Sequence, residues 1–170
     1  MNVVLFGFMG VGKTTVGRLL APRLGYRFID SDTEAEREMG MKVSEAFTLL
    51  GEPEFRAAER RVITRLSRGN GQVIALGGGA VLDPGNVEAL RRTGRMILLT
   101  ASPEEISLRT RGDSSRPLLA GGDKLSRIRA LVEERRERYI AAADMVVDTN
   151  GVPPIRVAEA IHGRLEVAAG

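Results

Sequence analysis

The sequence predicts an α/β fold in which a five-stranded parallel sheet is covered by helices on both faces. Short β-rich runs alternate with helical patterns, and this alternation is typical of parallel sheets. The runs are almost continuously apolar, as expected for strands that are buried on both faces. A length of 170 residues fits a single domain of this kind. We place the strands at Val3–Phe6, Tyr26–Ile29, Val73–Leu76, Met96–Thr100 and Met145–Val147.

Local signals mark the ends of several helices between these strands. Asp83-Pro84 and Ser102-Pro103 each place a capping side chain directly before a first-turn proline. Apolar residues at helical spacing predict helices over Glu52–Arg68 and Ser126–Ala142. The stretch Arg111–Gly122 is rich in turn formers and lacks periodicity, so we expect a mobile surface loop there. Four glycines are expected where helices stop: Gly25, Gly51, Gly69 and Gly94.

The composition argues against several classes of protein. Because the chain has no cysteine, it can hold no disulfide, cysteine nucleophile or zinc–thiolate site. His162 is its one histidine, which argues against a Ser-His triad or a histidine-built metal site. No apolar run reaches the roughly 18 to 20 residues that span a bilayer, and the opening residues lack the features of a secretion signal. We therefore expect a cytoplasmic protein with no membrane partner.

The basic residues are mostly arginines, 22 against 3 lysines, in a chain of net charge +3. They are interspersed with acidic residues, and aromatic residues make up only 4% of the chain. A nucleic-acid surface would instead show a basic stripe with interleaved aromatics. We expect no nucleic-acid partner, and the arginines are interpreted as solvated side chains or as groups that bind small anions.

The segment Gly7–Thr14, GFMGVGKT, has the pattern G-x-x-x-x-G-K-[ST] between a strand and a helix, which is the context of a phosphate-binding P-loop. In such loops backbone N–H groups and the helix N-terminus bind phosphate oxygens. The lysine then neutralises charge on the β- and γ-phosphates, and the hydroxyl holds magnesium. A glycine-rich turn that only links strand to helix is the alternative. The predicted nucleotide-binding residues here are Gly10, Val11, Gly12, Lys13, Thr14 and Thr15.

Two carboxylates, Asp30 and Asp32, follow the second strand in the segment FIDSD. The carboxyl ends of the strands are where open α/β sheets bind ligands. Either aspartate can be a helix cap, and we expect Asp32 or Thr33 to help cap the next helix. Beside a P-loop, one carboxylate can instead hold hydrated magnesium, and the other can orient or deprotonate an attacking hydroxyl.

Two further segments leave alternatives open. Arg56 and Glu59 are three residues apart on one predicted helix. Their spacing favours a solvated surface ion pair, but Glu59 can also hold Arg56 in position for a substrate carboxylate.

The glycines Gly77–Gly79 end the third strand, where a plain turn or the close approach of a ligand would each require glycine. Taken singly, Arg116 in the predicted loop and Arg135 in the next helix are interpreted as surface arginines, although Arg116 can also close over phosphates.

Six motifs occur in order over nearly the whole chain: the P-loop, FIDSD, GEPEFRAAE, LGGGAV, RPLLAG and ERRERY. Together they resemble the shikimate kinase family from about Val3 to Leu165. The P-loop alone is common to many families, so the order of the other motifs gives the resemblance its specificity.

The resemblance implies a role for each matching residue. It implies ATP and Mg²⁺ as cofactors, with Thr14 and Asp30 supporting the metal and Asp32 contacting the hydroxyls of shikimate as base or orienter. It further implies that Lys13 and Arg116 act on the transferring phosphate and that Arg109 and Pro154 sandwich the adenine. The residues implied to bind shikimate are Asp32, Arg56, Gly78, Gly79 and Arg135, with Glu59 as the partner of Arg56.

The resemblance also implies the architecture and the reaction. We expect a three-layer P-loop kinase with a core of residues 1–32, 62–110 and 125–170, a helical substrate-binding insertion near 33–61 and a mobile lid near 111–124. The implied reaction moves the γ-phosphate of ATP to the 3-hydroxyl of shikimate, in a monomeric enzyme. The alternatives are another small-molecule kinase, such as a gluconate kinase, and a nucleotide-binding regulatory module. Against the latter, the sequence has no N/T-K-x-D guanine signature.

Overall fold

A computed structural model of the protein describes residues 1–112 and 123–169. Its strands are β1 (Asn2–Phe6), β2 (Arg27–Asp30), β3 (Gln72–Ala75), β4 (Gly94–Thr100) and β5 (Met145–Asp148). They form one five-stranded sheet in the order β2-β3-β1-β4-β5, and every neighbouring pair is parallel. The predicted α/β fold with a five-stranded parallel sheet is therefore confirmed, with strand ends shifted by one or two residues.

The helices are α1 (Lys13–Leu24), α2 (Ser31–Met39), α3 (Val43–Leu49), α4 (Glu52–Ser67), α5 (Pro84–Arg91), α6 (Pro103–Arg109), α7 (Lys124–Ala142) and α8 (Pro154–Ala169). A 3₁₀ turn covers Ala80–Leu82. Helices α1 and α8 pack together, while α4 packs on α5 and α6 on α7. With this strand order, right-handed crossovers place α1 and α8 on one face of the sheet and place α4, α5, α6 and α7 on the opposite face. The result is the predicted three-layer arrangement.

Burial of both sheet faces explains why the strands are continuously apolar. Every residue of the central strand β1 is buried, and so is every residue of its neighbour β3. The edge strand β2 is only partly buried, which leaves its polar end free to serve the site. None of the helices in the described part of the chain is long and apolar enough to cross a membrane.

The helix ends follow most of the local signals. Asp83 and Ser102 cap α5 and α6 by accepting hydrogen bonds from the backbone N–H groups of Gly85 and Glu105, as predicted. Gly25 ends α1 in the left-handed conformation, with φ of 67°. The expected cap at Asp32 or Thr33 is wrong, because the side chain that caps α2 belongs to Asp30.

Candidate active site

A cleft of about 860 Å³ runs along the carboxyl edge of the sheet, because parallel strands end on the same side. All six predicted P-loop residues line it, together with Asp30, Asp32, Gly78, Arg109 and Pro154. The sequence analysis did not identify several lining residues in α2, at the start of α3 with its preceding cap residue Lys42, and in the loop before α8: Glu36, Lys42, Val43, Ser44 and Thr149. These residues carry no motif, and only the packing of their segments against the sheet brings them to the cleft.

The P-loop joins β1 to α1 and is shaped by its glycines. Gly7 has φ of 143°, and a Cβ at this position would overlap the backbone carbonyl of Leu99. The Nζ atom of Lys13 donates to the carbonyl oxygens of Gly7 and Phe8 at 2.6 and 3.1 Å. The ammonium group therefore lies against the loop, and the backbone N–H groups at the start of α1 face the cleft that phosphates would enter.

The Asp30 carboxylate performs two tasks at the end of β2. Its Oδ1 atom accepts hydrogen bonds from the backbone N–H groups of Asp32 and Thr33, which caps α2. Its Oδ2 atom accepts a hydrogen bond from the Thr14 hydroxyl at 3.0 Å. The two residues expected to support magnesium are thus in contact across the cleft.

Arg56 and Glu59 form an ion pair, but not at the surface. Arg56 Nη1 donates to Glu59 Oε1 at 2.9 Å, and Glu59 is 2% exposed. The solvated surface pair that spacing favours is therefore wrong. The Arg56 guanidinium also lies over the rings of Phe47 and Phe55, at 5.9 and 5.2 Å from their centroids, which holds it in place.

Glu59 is a buried carboxyl group with one unsatisfied oxygen. Burial raises its pKa to about 7; the Arg56 guanidinium acts in the opposite direction, and the negative charge of Asp32 raises the pKa further. Its Oε2 atom is buried without a hydrogen-bond partner among the described residues. The cost of burying this carboxylate therefore exceeds the stabilisation that its pairing with Arg56 provides.

The glycine turn after β3 forms the floor of this region, and each glycine is approached by a different side chain. A Cβ on Gly77 would lie 2.5 Å from Asp32 Oδ1 and 3.2 Å from Glu59 Oε2. A Cβ on Gly78 would lie 3.4 Å from Arg135 Nη1, and one on Gly79 would lie 2.7 Å from Arg56 Cζ. A side chain at Gly77 or Gly79 would therefore displace a site residue. The sequence pattern indicated a plain turn or a place of close ligand approach at all three glycines, whereas the family resemblance named only Gly78 and Gly79 as substrate-binding residues.

Arg135 reaches the same turn from helix α7. It is only 6% exposed, so its interpretation as a surface arginine is wrong. Its guanidinium lies 5.6 Å from the centroid of the Phe8 ring, and its Nη1 atom donates to the Tyr139 hydroxyl at 3.5 Å. Arg56 and Arg135 thus flank adjacent glycines, and together they place two positive charges at one end of the site.

Arg109 marks the other end of the cleft. Its guanidinium donates to the hydroxyl and carbonyl oxygens of Thr149 at 3.0 and 2.9 Å, and to the carbonyl of Gly10 at 3.3 Å. It therefore ties the loop before α8 to the P-loop. Pro154, the first residue of α8, lines the cleft on the same side.

The predicted lid arginine, Arg116, lies outside the described residues, and so do residues 113–122 of the predicted mobile loop and lid. Within the described residues there is no group of three or more histidine or carboxylate side chains that could hold a metal ion by itself.

The chain is similar to known proteins along almost its full length. A family model described as shikimate kinase matches residues 9–166. A shikimate kinase from Symbiobacterium thermophilum is 51% identical over 88% of this chain and 87% of that protein. Another from Thiobacillus denitrificans is 44% identical over 99% of this chain and 92% of that protein.

The solved structures that resemble this chain include shikimate kinases as well. A shikimate kinase from Acinetobacter baumannii, solved in complex with shikimate, superposes with a TM-score of 0.95 and 36% identity, covering 98% of this chain and 93% of that chain. A shikimate kinase from Aquifex aeolicus superposes with a TM-score of 0.86 and 34% identity, covering 99% of this chain and 98% of the other. The chain belongs to the shikimate kinase family.

Proposed function

We propose that the chain transfers the γ-phosphate of ATP to the 3-hydroxyl of shikimate, which gives shikimate 3-phosphate and ADP. The observation that carries the proposal is the glycine turn, where Asp32, Arg135 and Arg56 lie over three consecutive residues. The two arginines supply a receptor for a carboxylate, and Asp32 lies at the neighbouring glycine of the same turn and lines the cleft together with the P-loop. An acceptor with a carboxylate at one end and a hydroxyl at the other matches this distribution of charge.

ATP is proposed to lie along the cleft from Arg109 to the P-loop. Arg109 and Pro154 both line this part of the cleft and would provide a planar cation and an apolar ring as contacts for the adenine. The backbone N–H groups at the start of α1 would hold the phosphates, and the Lys13 ammonium would exchange its contacts with loop carbonyls for contacts with phosphate oxygens.

Thr14 and Asp30 fit a magnesium site. Hydroxyl and carboxylate oxygens are the ligands that Mg²⁺ prefers, and few protein ligands suffice because water and phosphate oxygens complete its shell. The contact between Thr14 Oγ1 and Asp30 Oδ2 already brings the two oxygens to 3.0 Å. When bound, the ion supplies positive charge to the β- and γ-phosphates. The hydrogen bonds that Asp30 Oδ1 accepts from the first turn of α2 hold the carboxylate so that Oδ2 faces Thr14.

Catalysis then depends on position and charge. The 3-hydroxyl oxygen forms a bond to the γ-phosphorus as the bond from phosphorus to the bridging oxygen of ADP breaks, and the hydroxyl proton leaves. We assign Asp32 to hold this hydroxyl and to receive its proton. Lys13 and, on the basis of the family resemblance, Arg116 would stabilise the charge that moves onto the leaving oxygen.

The test is a titration of shikimate and ATP into the protein and into Arg56→Ala and Arg135→Ala variants, with turnover measured by ADP release. Each arginine–carboxylate contact is worth about ten- to a hundredfold in affinity, so both variants should bind shikimate more weakly by that factor while ATP affinity stays unchanged. Lysine at either position should restore only part of the loss, because an ammonium cannot make a planar bidentate pair. Turnover with gluconate in place of shikimate, or unchanged shikimate affinity in both alanine variants, would contradict the proposal.

A further inference from the structure

We infer that Tyr139 is a positioning residue for the substrate carboxylate. Its hydroxyl fixes the orientation of the Gly78–Gly79 peptide and the position of the Arg135 guanidinium. The inference rests on the proposed function, in which Arg56 and Arg135 bind that carboxylate. Gly78 lines the cleft, whereas Tyr139, like Arg56 and Arg135, is not among the residues that line it. Tyr139 is 6% exposed and its hydroxyl contacts Gly78 and Arg135, so we expect its effect to pass through these two residues.

The first step is that Tyr139 is itself fixed. It lies on α7, is 6% exposed, and its ring meets the Phe6 ring edge-on at a centroid distance of 5.9 Å. Phe6 is the last residue of the central strand β1 and is fully buried. Burial raises the pKa of the Tyr139 hydroxyl, with Arg135 and Arg56 acting against it, so the group keeps its proton and remains a hydrogen-bond donor.

The second step concerns the peptide that this hydroxyl holds. Tyr139 Oη donates a hydrogen bond to the carbonyl oxygen of Gly78. Because the peptide unit is planar and trans, fixing this carbonyl points the N–H group of Gly79 in the opposite direction, away from Tyr139. This N–H donates to none of the described residues, and it belongs to the glycine that Arg56 covers. A fixed, unused N–H beside a guanidinium is a suitable third donor for a carboxylate.

The third step concerns Arg135. The same Tyr139 oxygen accepts a hydrogen bond from Arg135 Nη1 at 3.5 Å, so one hydroxyl contacts both the peptide and the guanidinium. The Phe8 ring lies against the guanidinium on the P-loop side. Tyr139 thereby determines the relative positions of two of the three groups that would receive the carboxylate. Hydrogen bonds from the Gly77 N–H to Ser31 Oγ and from the Leu82 N–H to the Gly79 carbonyl also hold the turn, and Tyr139 adds the contact that fixes the Gly78 carbonyl.

The test uses Tyr139→Phe, which removes only the hydroxyl, and compares binding of shikimate with binding of its methyl ester. A neutral hydrogen bond of this kind is worth about three- to tenfold in affinity, so the variant should bind shikimate more weakly by that factor. The ratio of its affinity for shikimate to its affinity for the methyl ester should fall by the same factor, because the ester lacks the negative charge that the two arginines bind. ATP affinity should stay within about twofold of the unmodified protein.

Two variants serve as controls for a loss of packing. Ile128→Val removes one methyl group from a fully buried position of the same helix, and Tyr26→Phe removes the hydroxyl of the other tyrosine of the chain. Both should leave the preference for the acid unchanged. If Ile128→Val lowers this preference as much as Tyr139→Phe does, the effect is general loosening of α7 and the inference is wrong.

The remaining outcomes separate the inference from the proposed function. If Arg56→Ala and Arg135→Ala lower the preference for the acid and Tyr139→Phe does not, the carboxylate receptor stands and the inference about Tyr139 is overturned. If none of these three variants lowers the preference, the carboxylate receptor itself is wrong, and the role of Tyr139 is lost with it.

Discussion

The replacement Gly79→Ala should separate substrate binding from stability. Gly79 has φ of −94° and ψ of −4°, which an alanine can adopt without strain. The added Cβ would lie 2.7 Å from Arg56 Cζ and 2.8 Å from Arg56 Nη1. Since ordinary contacts are about 3.5 Å or longer, the guanidinium must move by roughly 1 Å. The backbone and the core need not move, because the obstructed atoms are the end of a flexible side chain.

The expected magnitudes follow from this geometry. A charge-assisted contact that is lost costs about 1.5 to 3 kcal/mol, so shikimate affinity should fall about ten- to a hundredfold. The free energy of unfolding should change by about 1 kcal/mol or less, because the loss of chain entropy in the unfolded state offsets a weakened bond between Arg56 and Glu59. ATP affinity should be unaffected.

The assay is calorimetric titration of shikimate and of ATP, with urea denaturation of the same samples. Gly163→Ala is a matched control, because a Cβ on Gly163 of α8 has no atom within 4 Å among the described residues. Combining Gly79→Ala with Arg56→Ala should add no further loss if the alanine acts through Arg56. Shikimate affinity within about twofold of the unmodified protein would refute the reasoning, as would an equal loss of ATP affinity.

Two further predictions concern stability. Burial raises the pKa of Glu59 from 4.5 to about 7. The folded state therefore binds the proton on Glu59 more tightly than the unfolded state does, which stabilises the fold fully below about pH 4.5. This stabilisation, about 3 kcal/mol in total, is lost as the pH rises through 7. Glu59→Gln should remove this dependence, so that denaturation at pH 5 and pH 8 gives a flatter profile than in the unmodified protein; an equally steep profile would contradict the burial of a titrating Glu59. Gly17→Ala should destabilise the protein by about 1 to 3 kcal/mol in urea denaturation, although alanine favours helices, because the Cβ would lie 2.9 Å from Phe28 Cδ2. A gain in stability would show that Phe28 moves aside freely.

The sequence by itself determined the features that depend on neighbouring residues. The pattern GFMGVGKT between an apolar strand and a helix predicted the P-loop, and capping side chains at Asp83 and Ser102 predicted where α5 and α6 begin. The order of strands and helices predicted the parallel sheet, because the local alternation of elements and the burial of both faces leave few other arrangements. The order of the motifs likewise indicated the family.

Only the tertiary structure decided which polar groups are buried and what they face. The spacing of Arg56 and Glu59 is the same in a solvated surface pair and in a buried one, and Arg135 has the sequence context of an exposed helix. Both arginines reach adjacent glycines of one turn from helices that are distant in the chain. Asp30 caps α2 because the chain turns directly from β2 into that helix. Burial depends on contacts between such distant segments, and a local pattern carries no information about them.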